Sequence, residues 1–152
     1  MTETVIIPPN GRRVASGGRF IPPLLIIPFI FYNVLALTVM GWQPAAWGNQ
    51  QLFAIPMVSG VTWSLTWSDV MLVVGLVCLF FEVIKSTNTG RNSVIEHMAS
   101  TALFVVFLIE FLLFAPAASS TFFILMMMAL VDVVAGFTIS ITGAGRDVTM
   151  AN

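Results

Sequence analysis

Four polar side chains lie inside stretches of sequence that are otherwise apolar, and they are the residues best placed to do chemistry. Asp132 stands at the centre of the apolar run 121–142, while Glu82, Glu110 and Asn33 lie in other apolar runs. A charged group inside a hydrocarbon layer costs about 3 kcal/mol or more unless a partner compensates it, so such groups are functional candidates by default. We therefore predict an intramembrane polar site formed by these four residues.

Their depths can be compared at about 1.5 Å per helical residue. Counted from the outer end of each run, Glu110 lies about 6 Å deep, Asn33 about 10 Å, Asp132 about 18 Å and Glu82 about 20 Å. Asp132 and Glu82 thus share a depth, and two nearby carboxylates that cannot both ionise cheaply are able to share a proton.

Each of these residues also has a purely structural interpretation. Asp132 is as consistent with a hydrogen bond between helices as with a functional role, and Asn33 favours the hydrogen bond. Glu110, near the outer surface, is consistent with a snorkelling or neutral side chain. Glu82 has Lys85 three residues later, and such a pair forms an ion pair on a helix. His97 is expected to be a surface residue at the start of a helix.

Catalytic and cofactor motifs are missing from the sequence. There is one histidine, and no CxxC, HExxH or glycine-rich phosphate loop occurs. A haem normally needs axial His, Met or Cys ligands, and a di-metal site in a bundle needs Glu-x-x-His repeats, which the sequence also lacks. We expect a protein that is not an enzyme and has no cofactor or metal site.

Composition excludes an ordinary soluble domain. Of 152 residues, 58% are hydrophobic and only 9% are charged, whereas soluble domains carry about 25% charged residues. The net charge of −1 gives no basic surface for a nucleic acid. A single cysteine, Cys78, excludes an intrachain disulfide.

Four long apolar runs predict an all-α membrane protein, a bundle of four transmembrane helices, because about 20 apolar residues cross a bilayer. The predicted segments are a cytoplasmic N-terminal segment (1–19), the first span (20–40), an outer loop (41–68), the second span (69–85), a cytoplasmic turn (86–93), the third span (94–115), an outer turn (116–119), the fourth span (120–142) and a cytoplasmic tail (143–152).

Local signals predict where these helices begin and end. Pro22 and Pro23 suit the first turn of the first helix, and Pro28 is expected to kink it. Ser68 is the predicted N-cap of the second helix. The other signals are a Ser93-x-x-Glu96 capping box, Ser119 or Ser120 as the cap of the fourth helix, and Gly143 with Gly145 at its end.

The outer loop carries a strand pattern. Apolar and hydroxyl residues alternate from 61 to 68, which is typical of a half-buried strand. Residues 53–58 are its predicted partner across a tight Ser59-Gly60 turn, with Pro56 at an edge. The sequence predicts a short β-hairpin on the membrane surface; an irregular loop with an interfacial helical turn is the alternative. The loop also holds four tryptophans, predicted as interfacial anchors: Trp42, Trp47, Trp63 and Trp67.

Basic residues indicate the orientation. All six Lys and Arg fall before the first span, at the turn between the second and third spans, or after the fourth. This distribution places both termini and that turn in the cytoplasm.

Small residues share a helix face with each buried acid. Gly75 and Cys78 align with Glu82 at 100° per residue, and Ala129, Gly136 and Ser140 align with Asp132. Small residues let helices approach closely, so we predict these five positions as helix-packing sites.

The segments FFEVIKSTNTGRNSVIEHMASTALFVVFLIEFLL (Phe80 to Leu113) and ALVDVVAGFT (Ala129 to Thr138) resemble small four-span inner-membrane proteins of proteobacteria whose function is unknown. The resemblance implies a bacterial inner membrane and carries no mechanism. The strand-bearing first outer loop is also similar to that of claudin-like proteins, although the outer cysteine pair of that family is absent here.

These observations favour a non-enzymatic membrane subunit or scaffold. Its expected partners are the lipid bilayer and either further copies of itself or a larger membrane complex. The alternatives are a proton or ion pathway that uses Asp132 and Glu82, and a pore-forming, holin-like oligomer.

Overall fold

The structure is a computed structural model that describes the backbone of residues 22–87 and 93–150 and the side chains of residues 22–87 and 94–142. The predicted N-terminal segment (1–19) and most of the predicted cytoplasmic turn (86–93) lie outside the described residues. The side chain of Ser93, the predicted cap, is also outside the described part. Within the described part, the chain is mostly helical, and three of its helices are long and apolar enough to cross a membrane: Trp67–Ser86, Val94–Leu113 and Ser120–Thr142.

The first helix is shorter than predicted. Helix α1 spans Ile26–Thr38, 13 residues, or about 20 Å, whereas the hydrocarbon core is about 30 Å thick. Pro22 and Pro23 precede the helix instead of forming its first turn. Pro28 therefore falls in the first turn, where its missing N–H breaks no helical hydrogen bond. The kink predicted at Pro28 was based on an earlier helix start and is wrong.

A short helix and the predicted hairpin follow α1. Gly41 and Trp42 reverse the chain with positive φ angles of 57° and 66°, and helix α2 spans Ala46–Asn49. Strands β1 (Gln51–Pro56) and β2 (Thr62–Thr66) pair antiparallel. The hairpin prediction is confirmed, and α2 supplies a helical turn as well.

The hairpin differs from the prediction in its turn and its burial. The turn runs over 57–61, closed by a hydrogen bond of 2.9 Å from the Met57 N–H to the Val61 carbonyl. Phe53, Ile55 and Trp63 share one face through the pairings Phe53↔Leu65 and Ile55↔Trp63, yet they are 53%, 42% and 47% exposed. Alternation correctly predicted the strands, but the predicted half-burial holds only for Ser64, Leu65 and Thr66 at the end of β2, while β1 is exposed throughout.

Helix α3 spans Trp67–Ser86 and begins one residue before its predicted cap. Thr66 is the N-cap, because its hydroxyl accepts the Asp69 N–H and the Asp69 carboxylate accepts the Thr66 N–H. Ser68 instead lies inside the helix, and its hydroxyl is 2.6 Å from that of Thr121. The reciprocal capping box explains why Thr66 is preferred over Ser68.

The last two long helices are α4 (Ser93–Leu113) and α5 (Ser120–Met150), joined by a 3-10 turn at Ala115–Ala117. Ser119 caps α5, since its hydroxyl accepts the Phe122 N–H at 3.1 Å. Helix α5 continues through Gly143 and Gly145 to Met150, so the predicted end of the helix at these glycines is wrong.

Helix α5 lies at the centre of the bundle, packed between α3 and α4 and also touching α1. The hairpin, the end of α1 and α4, and the start of α3 and α5 lie at one end, here called the hairpin end. The largest fully buried side chains include Tyr32, Trp47, Phe107 and Phe122. Helices α3 and α5 approach each other so closely at Gly75 that an added Cβ would lie 2.5 Å from Leu125 Cδ2.

Candidate functional site

The first acid, Glu82 of α3, is almost completely buried, with 2% of its surface exposed. Its Oε1 forms an ion pair with Lys85. Its Oε2 accepts a 2.8 Å hydrogen bond from the backbone N–H of Leu24. The first N–H groups of a helix have no partner within it and carry partial positive charge. Glu82 therefore neutralises Lys85 and satisfies the start of α1 at the same time.

The second acid, Asp132 of α5, is 5% exposed. The Ser100 hydroxyl of α4 is a hydrogen-bonding partner of its carboxyl, and the charges of Glu82, Lys85 and His97 lie near enough to act on it. Asp132 and Glu82 therefore interact electrostatically, and side chains of α3, α4 and α5 all contribute to this region.

His97 lies against α5 and is not the surface residue expected from the sequence. Its Nε2 is 2.7 Å from the Ser140 hydroxyl. A Cβ added at Gly136 would lie 2.5 Å from His97 Nδ1, so the imidazole occupies the space that the glycine leaves. Gly136 and Ser140 were singled out as packing positions, but a helix face does not reveal which residue packs on it.

These contacts define a polar cluster shared by α3, α4 and α5: Glu82, Lys85, His97, Ser100, Asp132 and Ser140. The cluster holds two acids, two basic side chains and two hydroxyls. Within the described residues, no three His, Cys, Asp or Glu side chains are grouped to hold a metal ion.

A second set of polar groups lies toward the hairpin end. The Tyr32 hydroxyl donates to the Pro116 carbonyl at 2.9 Å and is 2.6 Å from the Ser119 hydroxyl. These bonds join α1 to the connection between α4 and α5. Sequence reasoning did not find this network, because nothing in the apolar context of Tyr32 marks its partners.

The tryptophans do not behave alike. Trp47 is 1% exposed and stacks on Tyr32 with ring centroids 4.2 Å apart, so its predicted role as an interfacial anchor does not hold. Its Nε1 is buried and has no hydrogen-bond partner among the described residues. Trp42 and Trp63 are 59% and 47% exposed, and Trp67 is half-buried against the core, so these three remain candidates for contact with the interface.

Glu110 of α4 and Asn33 of α1, the other two predicted site residues, are joined by a side-chain hydrogen bond. Both line a cavity of about 490 Å³ with apolar residues of α4. Glu110 Oε1 is buried and has no hydrogen-bond partner among the described residues. Its partner among the described residues is the neutral Asn33 amide, whereas Glu82 is paired with Lys85 and Asp132 lies near Lys85 and His97.

Aromatic rings fill the bundle between the polar cluster and the pair formed by Glu110 and Asn33. Phe107 lies 4.7 Å from Phe29 and 5.3 Å from Phe122, and Phe122 lies 4.8 Å from Tyr32, all between ring centroids. Along α4, Phe107 stands between Ser100 and Glu110; along α5, Phe122 stands between Asp132 and Ser119. The polar cluster and the Glu110 region are thus separated by an apolar layer.

The remaining predicted packing positions lie in helix contacts. Ala129 is 2% exposed in the core, and Cys78 packs against that core. Gly75 is at the close approach of α3 and α5.

Comparison of the chain with protein families, with curated proteins and with solved structures found no match.

Proposed function

We propose that this protein is a non-enzymatic integral membrane subunit or scaffold that assembles with copies of itself or with a larger membrane complex. In this proposal it belongs to the small four-span proteins of the bacterial inner membrane, with α1 and its apolar flanks as the first span beside α3, α4 and α5. Both termini lie in the cytoplasm, because only this arrangement puts all six Lys and Arg on that side.

The hairpin is the observation that carries the proposal. Residues 41–68 contain no charged residue, and Phe53, Ile55 and Trp63 are exposed on one face. Proteins usually protect exposed strands with charges, prolines, bulges or covering elements. Here β1 has an irregularity between Gln51 and Phe53 and a proline at Pro56, but neither strand carries a charge. A contiguous apolar patch outside the core typically marks a contact with a protein or a membrane.

The burial of the acids supports a structural role for the polar cluster. Both oxygens of Glu82 have partners within the chain, and Asp132 is bonded by Ser100. In this arrangement the cluster holds three helices and the start of α1 together, so that the hairpin is presented on a rigid support.

Native mass spectrometry of the full chain in mild detergent tests the proposal. We expect an oligomer or a co-purifying membrane protein. Ile55→Lys, which puts a charge on the apolar face, is expected to abolish that assembly. Thr62→Lys is the matched control, because Thr62 is exposed on the opposite face. A strictly monomeric wild-type particle without a partner contradicts the proposal.

A proton or ion pathway component is the second candidate, favoured by the burial of Asp132 and Glu82 beside Lys85 and His97. Asp132→Asn and Glu82→Gln would then each reduce proton or cation flux in proteoliposomes. Absence of flux with the wild-type protein, or flux unchanged in both variants, removes this candidate.

A further inference from the structure

We propose that the groove between α1 and α4 at Glu110 binds the primary ammonium headgroup of a membrane lipid, an ethanolamine phospholipid. This site is separate from the polar cluster and does not depend on the assembly proposed above.

The groove has an apolar wall and two polar groups. Its volume is about 490 Å³, and its wall comes mainly from α4. Val106, Ile109 and Leu113 line it and are 45%, 51% and 81% exposed. An exposed apolar wall along the side of a bundle suits an acyl chain. The two polar groups, Glu110 and Asn33, can bind only one end of such a ligand.

The polar end offers acceptors. Glu110 Oε1 has no partner among the described residues, and the last torsion of a glutamate rotates easily, so this oxygen is able to turn into the groove. The Asn33 amide nitrogen donates to the Phe29 carbonyl at 3.2 Å, and its amide oxygen supplies a second acceptor. A primary ammonium group has three N–H donors, so it suits this pair.

The part of the chain that the structure describes offers Glu110 no counter-charge. No Lys or Arg occurs in residues 20–84 or 92–145, and Lys85 is paired with Glu82. His97 lies 13 residues earlier on α4, about 20 Å along the axis, and bonds Ser140. Glu110 is partly buried, and its described partner, the Asn33 amide, carries no charge, so an ammonium group in the groove would supply the complementary charge.

The position of Glu110 indicates a lipid as the source of that cation. Glu110 lies three residues before the end of α4 at Leu113, about 4.5 Å along the helix axis. In a spanning helix this is the level at which headgroups meet hydrocarbon. An ethanolamine headgroup presents N–H donors there, whereas a choline headgroup has none.

Lipid retention by the purified full chain tests the proposal. The protein is exchanged into detergent containing dioleoyl phosphatidylethanolamine, phosphatidylcholine or phosphatidylglycerol, and bound lipid is counted by native mass spectrometry. We expect the ethanolamine lipid to be retained at least about tenfold more strongly than the choline lipid, the ratio for one charge-assisted hydrogen bond. Equal retention of these two lipids overturns the proposal.

Variants assign the effect to the groove. Glu110→Gln should remove the preference, whereas Glu96→Gln, which removes an acid from the other end of the same helix, should keep it. If Glu110→Gln does not fold, Val106→Phe fills the groove without altering the acid and should also abolish retention. Unchanged retention in the folded groove variants contradicts the proposal. Displacement of the lipid by equimolar water-soluble ethanolamine overturns the assignment to a lipid.

Discussion

The carboxylate of Glu82 accepts a hydrogen bond from the backbone N–H of Leu24, 58 residues earlier in the chain. The same carboxylate is ion-paired with Lys85. One buried side chain of α3 thus holds the beginning of α1, a helix of only 13 residues. Isolated helices of this length are marginal, so α1 depends on contacts with the rest of the bundle.

The Leu24 contact predicts different effects for two substitutions of Glu82. Glu82→Gln keeps an acceptor for the Leu24 N–H, whereas Glu82→Ala leaves this part-buried N–H without one. We expect Glu82→Ala to lower the free energy of unfolding by about 1–3 kcal/mol more than Glu82→Gln. Unfolding by titration with sodium dodecyl sulfate measures the difference. Since both variants lose the Lys85 ion pair, equal stabilities would show that the Leu24 bond contributes nothing.

The close approach at Gly75 predicts sensitivity to a single methyl group. In Gly75→Ala the new Cβ would lie 2.5 Å from Leu125 Cδ2 and 3.0 Å from Met128 Sδ. Overpacking costs about 1–3 kcal/mol, and the higher helix propensity of Ala offsets about 1 kcal/mol of it, so we expect a net loss of about 1 kcal/mol. Gly48→Ala is the control, since nothing lies within 4 Å of its Cβ. Thermal unfolding in detergent should show a lower Tm for Gly75→Ala alone.

His97 and Gly136 should be energetically coupled. Gly136→Ala places a Cβ against the imidazole and displaces His97 from Ser140. In a His97→Ala background this clash disappears, and Ala exceeds Gly in helix propensity by about 1 kcal/mol. A double-mutant cycle on unfolding free energies should give a coupling of about 0.5–3 kcal/mol. Additive effects of the two substitutions would contradict the contact.

The Tyr32 hydroxyl should stabilise the connection between α4 and α5. Tyr32→Phe keeps the ring stacked on Trp47 but removes the bonds to Pro116 and Ser119. Hydrogen bonds within membrane proteins are worth about 0.6 kcal/mol on average, so we expect a loss of about 1 kcal/mol. Ser119→Ala should lose more, because Ser119 also caps α5. Thermal unfolding of the two variants checks the order, and the reverse order would contradict these roles.

Features that depend on neighbouring residues in the chain could be predicted. Apolar run length predicts α3, α4 and α5, because crossing a bilayer needs about 20 residues. Alternation predicts the pairing of β1 with β2, since side chains in a strand point alternately to opposite faces. The common helix face of Gly136 and Ser140 follows from helical periodicity in the same way.

Features that depend on competition between local signals were less predictable. The N-cap of α3 is Thr66 and not the predicted Ser68, because the Asp69 carboxylate completes a capping box only with Thr66. Helix α1 begins at Ile26, after Pro22 and Pro23, so Pro28 lies in its first turn. The end of α5 moved beyond Gly143, since glycine weakens a helix without ending it.

The sequence by itself determined the apolar helices, the hairpin and the presence of acids within apolar runs, because each follows from composition over a short window. Only the tertiary structure decided that Leu24 bonds Glu82, that His97 bonds Ser140, and that Trp47 is buried on Tyr32. These contacts join different elements and depend on how each is rotated and offset against its neighbours. No local pattern encodes that arrangement, since it results from packing the whole bundle at once.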